Sequence, residues 1–92
     1  FKDARTRAAL CEILDDKDLE IRRTTIESLS NFDDALDLII PFLKDREWSV
    51  RKTAVDVMEK FPKVQIYRYL REVAETDEDQ EVKKAAERVL GE

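Results

Sequence analysis

Ninety-two residues suffice for one small domain, 1–92, and leave no room for a second. Hydrophobic and charged residues each make up 42%, beside one glycine and two prolines; this is helix-forming material, so the chain reads as all-α. The net charge of -5 is spread over 22 acidic and 17 basic residues without a long run of one sign, which argues against a nucleic-acid or anionic-membrane surface.

Taken in chain order, the first expected helix carries Leu10, Ile13 and Leu14 at i, i+3 and i+4, with Ala4, Ala8 and Ala9 ahead of them. If repeats upstream are missing, the apolar side of this helix is a surface for self-association. Cys11, the single cysteine, has no activating neighbour in sequence and reads as a structural thiol; with one thiol no internal disulfide can form. After the Asp15–Asp16 turn comes DLEIRRTTIESL (18–29), a helix opened by Asp18. The break at Asn31–Asp34 offers Asp33 or Asp34 as the next N-cap. Ile39, Phe42 and Leu43 repeat the i, i+3, i+4 stripe, but Pro41 lies inside it and predicts a kink or a restarted helix. EWSVRKTAVDVM (47–58) follows, in a helix expected to run through Phe61 and stop at Pro62. Leu70, Val73 and Ala74 mark a third leading helix, with Tyr67 and Tyr69 near its start, and DQEVKKAAERVL (79–90) closes the chain. The final residues, Glu87, Arg88, Gly91 and Glu92, are polar, as suits a cap.

DLEIRRTTIESL, EWSVRKTAVDVM and DQEVKKAAERVL align without gaps. In register they stack Ile21, Val50 and Val82; Arg22, Arg51 and Lys83; Arg23, Lys52 and Lys84; Thr25, Ala54 and Ala86; and Leu29, Met58 and Leu90, at offsets of 29 and 32 residues. A period near 30 signals a solenoid, here three helical hairpins at about 3–31, 33–61 and 64–91, six helices in all. Ala54 and Ala86 should mark close approach between helices.

LDDKDLEIRR, LKDREWSVRK and AETDEDQEVKK resemble the junction between the two helices of HEAT repeats, in particular the short HEAT-like repeats of bilin-lyase-type and many archaeal and bacterial proteins. The resemblance covers nearly the whole chain in three copies, each shorter than the roughly 40–47 residues of standard HEAT units. It implies an α-α superhelix in which a turn aspartate and a second-helix arginine form a hydrogen-bonded ladder between neighbouring repeats. Asp16 with Arg22, Asp45 with Arg51 and Asp77 with Lys83 stand at the required separation of six. Lys83 departs from the pattern, because an ammonium cannot make the forked contact of a guanidinium, and its rung should be weaker. The resemblance further implies that the second helices line the inner curve. Their outward positions would be Arg23, Ile26, Glu27, Ser30, Lys52, Val55, Asp56, Glu59, Lys84, Glu87 and Arg88, a mixed-charge strip able to dock another protein.

Trp48, in the place of Leu19 and Gln80, either packs over a neighbouring repeat or contacts a partner from the edge, and Tyr67 and Tyr69 carry the same two readings. With no histidine, the chain cannot build a Ser-His-Asp or Cys-His centre or a His-ligated zinc site. The clusters Asp15–Asp16, Asp33–Asp34 and Asp77–Glu78–Asp79 are not calcium loops: counting from Asp77, the glycine and glutamate an EF-hand needs are Val82 and Arg88, which leaves turn and capping duty. The expectation is a non-enzymatic interaction or scaffolding module, without a cofactor, binding another protein and neither nucleic acid nor membrane. An opening Phe1 rather than methionine reads as a segment of a longer protein, and the cytoplasm is the default location. The alternatives are an accessory domain of an enzyme such as a zinc aminopeptidase or a bilin lyase, or a nucleic-acid-binding HEAT-like domain.

Overall fold

The computed structural model describes residues 12–13 and 15–91. Among them are five α-helices and no strand: α1 (Leu19–Leu29), α2 (Leu36–Ile39), α3 (Trp48–Val57), α4 (Lys63–Thr76) and α5 (Gln80–Leu90). Glu12 and Ile13 are helical too, but Leu10, Leu14, the preceding alanines and Cys11 lie outside the described residues. No described helix is long and apolar enough to cross a membrane.

Local chemistry sets most helix boundaries. The Asp18 carboxylate accepts the Glu20 N–H at 2.9 Å, and that of Asp79 accepts the N–H groups of Glu81 and Val82 at 2.8 and 3.2 Å, which satisfies donors that have no partner within the first turn. Glu47 occupies the cap of α3 without a side-chain bond to its helix. At α2 the expectation of Asp33 or Asp34 is corrected: Ala35 is the cap, fully buried, and its carbonyl accepts from Leu38 and Ile39. Sinking Ala35 into the core fixes where the helix begins and leaves both aspartates exposed ahead of it. At the far end Gly91 adopts φ 82°, a left-handed cap that a side chain would strain, and donates its N–H to Arg88 and Glu87.

Both prolines reshape their helices. Around Pro41, α2 gives way to a 3-10 segment, Ile40–Lys44, with the proline near its start, where the missing N–H matters least. Before Pro62 the helix does not run through Phe61. It tightens to a 3-10 turn at Met58–Lys60, and Phe61 is extended at φ -104° and ψ 156°, as the clash with the following proline ring requires.

The second helices form a row, with α1 packed on α3 and α3 on α5; the segment 40–44 packs on α3, and α4 on α5, as a second layer. The core comprises Ile26, Ile39, Phe42, Val50, Ala54, Met58, Ile66, Leu70, Val82 and Ala86, each 1% exposed or less. Ile21 breaks the register: Val50 and Val82 are fully buried, yet Ile21 is 44% exposed, since α1 is the first of the described row and no described helix covers its outer side.

Ala54 sits at 0% exposure on the middle helix of the row, which packs on both its neighbours. Ala54→Leu should overpack this joint and cost about 1–3 kcal/mol; a thermal melt that does not move would refute the assigned packing.

Candidate functional site

Three turns of the same build lead into α1, α3 and α5. In each an aspartate carboxylate turns back to accept the N–H two residues on: Asp16 from Asp18 at 2.8 Å, Asp45 from Glu47 at 2.9 Å and Asp77 from Asp79 at 2.9 Å. The fourth residue of each helix is Arg22, Arg51 or Lys83.

Each arginine spans two turns. Within its own repeat, six residues back, Arg22 donates to the Asp16 carbonyl and Arg51 to that of Asp45 at 2.8 Å. The side-chain pair is with the next repeat. Arg22 forks onto Asp45 at 2.8 and 3.1 Å, and Arg51 onto Asp77 at 2.9 and 3.2 Å. The separation of six thus marks a guanidinium-to-carbonyl contact, whereas the carboxylate partners lie 23 and 26 residues on. The first rung is dry, with side chains 1% and 2% exposed, and the second is wetter at 16% and 6%. Lys83 is half-buried and makes no ion pair among the described residues.

The expected docking strip is smaller than the register implied. Ile26 and Val55 are fully buried and do not belong to it, because the row packs edge to edge and these side chains fill the joints between successive second helices. Ser30 is buried as well, donating to the Glu27 carbonyl at 2.6 Å and accepting from Lys60 at 3.1 Å. What remains on the surface is Arg23, Glu27, Lys52, Asp56, Glu59, Lys84, Glu87 and Arg88. Much of it is paired internally. Arg23 contacts Glu20 at 2.7 Å and Thr53 at 3.3 Å, and Asp56 accepts from Lys52 at 3.0 Å and Arg88 at 2.9 Å, with Glu59 taking the other nitrogen of Arg88. Glu27, Lys84 and Glu87 have no ion pair among the described residues.

Trp48, the first residue of α3, is 46% exposed, and Lys52 and Asp56 follow it at i+4 and i+8 on one side of the helix. On α4 the Arg68 guanidinium lies 4.9 Å from the Tyr69 ring and bonds its hydroxyl, and Arg71 lies 5.9 Å from the ring of Tyr67; Tyr69 packs against the core while Tyr67 is exposed. No three His, Cys, Asp or Glu side chains gather as a metal site among the described residues. Sequence reasoning missed Glu20 and Thr53 as partners of Arg23, although Glu20 at i-3 was a readable signal. It also missed Lys44–Glu72 at 2.7 Å, for which nothing in the sequence pairs the two positions.

Truncation of a ladder aspartate strands a guanidinium. Asp45→Ala should cost about 3–5 kcal/mol in a denaturant titration, and Asp77→Ala clearly less, since solvent reaches the second rung; equal losses would contradict this ranking. At the surface, the Lys44 ammonium, by its hydrogen bond and its charge, holds the Glu72 carboxyl below its ordinary 4.5. A carboxyl depressed in the folded state stabilises above its unfolded pKa and loses that contribution as pH falls through the folded value. Lys44→Ala should therefore raise the Glu72 midpoint in an NMR titration toward 4.5; an unmoved midpoint would remove Lys44 as the cause.

The family model of HEAT repeats matches residues 7–91. No curated protein and no solved structure matches significantly. With nearly the whole length covered, and second helices stacked in a row through arginine and aspartate, the chain belongs to the HEAT repeat family.

Proposed function

We propose that this chain is a non-enzymatic cytosolic interaction module of three helical hairpins, six helices in all, the first hairpin beginning with the helix around Leu10. Its docking surface is the strip Arg23, Glu27, Lys52, Asp56, Lys84, Glu87 and Arg88, with Trp48 at its edge. The partner is another protein. HEAT repeats commonly mediate such contacts, and a solenoid offers one long face rather than an enclosed pocket.

The observation that carries the reading is Trp48. An indole 46% exposed at the head of a charged column has the form of a binding anchor: a rigid aromatic beside hydrogen-bonding groups. The paired charges around it keep the strip near neutrality, which favours a partner surface of mixed sign over a polyanion.

The test is quantitative affinity purification with the wild-type chain, Trp48→Ala, and a triple reversal of Arg23, Lys52 and Lys84 to Glu. Partners retained by the wild type should be lost at least tenfold with both variants, whose circular dichroism should stay helical. Retention unchanged by either variant would reject the strip.

A further inference from the structure

The segment 36–44 and α4 stand side by side in the outer layer, held there through α3 and α5, with few contacts of their own. α2 lasts about one turn before the chain passes, at Pro41, into a 3-10 coil, which is tighter than an α-helix and leaves space against α4. That space is a trench. A mainly apolar recess of about 220 Å³, walled by Ile40, Pro41, Tyr69 and Val73, opens into a wider one of about 550 Å³, which shares Ile40 and Tyr69 and reaches Asp33, Asp34 and Val64. The Lys44–Glu72 ion pair crosses the trench at its far end, and Val64, 87% exposed, stands at the near end.

The near end is acidic. Asp33 and Asp34 are exposed, neither caps α2, and their carboxylates make no hydrogen bond or ion pair among the described residues. Arg68, the cation that lines the same end, is turned onto Tyr69: its guanidinium lies over that ring and donates to its hydroxyl at 2.9 Å. An apolar trench with an acidic mouth suits a chain that brings an aliphatic side chain and a cation together. A second copy is a poor occupant, because each chain carries a net charge of -5 and the mouth would repel it. The wall from 36 to 44 comprises four α and five 3-10 residues, a length of about 16 Å. An extended peptide covers it with about five residues, which sets the cation and the aliphatic residue about three or four positions apart.

We propose that the trench between 36–44 and α4 binds an extended segment of a partner protein, with lysine or arginine at Asp33 and Asp34 and an aliphatic residue in the recess at Ile40 and Tyr69. This surface belongs to the outer layer, apart from the docking strip of the second helices, and does not depend on it.

The probe is an array of heptapeptides with two fixed lysines and one fixed leucine at separations of one to five positions, in both chain directions, the remaining positions being serine. The full chain should be retained by peptides in which lysine and leucine stand three or four positions apart. In fluorescence anisotropy the best of these should bind at least fivefold more weakly to the double variant Asp33→Asn, Asp34→Asn and to Val64→Lys, exposed changes that should leave the Tm in place. Replacing the peptide's leucine by serine should weaken binding as much, whereas Trp48→Ala should bind as the wild type does. No retention at any spacing would overturn the proposal. So would equal binding of the serine peptide, which marks attraction by charge alone, or loss of binding in Trp48→Ala, which puts the peptide on the strip. An unliganded chain that sediments as a dimer and is dispersed by Val64→Lys would overturn it as well, since a second copy would then fill the trench.

Discussion

The arginine fork across each joint is the constraint on which the stack depends. Apolar side chains between helices resist separation but tolerate sliding, because dispersion and the hydrophobic effect have little direction. A guanidinium held at three points has direction. Arg22 is fixed to the carbonyl of its own turn and to both carboxylate oxygens of the next, so it sets the height and rotation of one hairpin against another. The carboxylate is fixed in turn by the N–H at the start of its helix. One residue thus links turn geometry, helix start and inter-repeat register.

The ladder also explains how buried charge is tolerated in so small a molecule. Arg22 and Asp45 are almost wholly out of water, and an unpaired charge there would cost several kcal/mol. No buried side-chain nitrogen or oxygen among the described residues lacks a hydrogen-bond partner. The joint is polar along one edge and apolar along the rest, with Ile26 and Val55 excluding water beside the rungs. That division leaves the outward strip free for surface pairs such as Lys52 and Asp56, which shape the face while contributing little to stability.

The two ends of the row have opposite character, which follows from single substitutions in an otherwise constant pattern. Replacing the aliphatic joint residue by Glu87 and the arginine by Lys83 makes the final helix wettable. On the first described helix of the row, Ile21 and Leu29 line a mainly apolar groove.

Periodicity alone determined the helical class, the repeat, the turn positions and the residues of the ladder, because each depends on contacts within a few positions or on a pattern written three times. Pro41 and Pro62 were legible for the same local reason, although the extent of the 3-10 segments was not. Tertiary structure decided what local spacing leaves open. Ile26 and Val55 occupy outward positions on an isolated helix, yet both are fully buried once the second helices pack into a row. Ile21 fits the core stripe as well as Val50 does and is half open, since its burial depends on what packs beyond it. The forks from Arg22 to Asp45 and from Arg51 to Asp77 join residues 23 and 26 positions apart, a distance that only the stacking of one hairpin on the next can close.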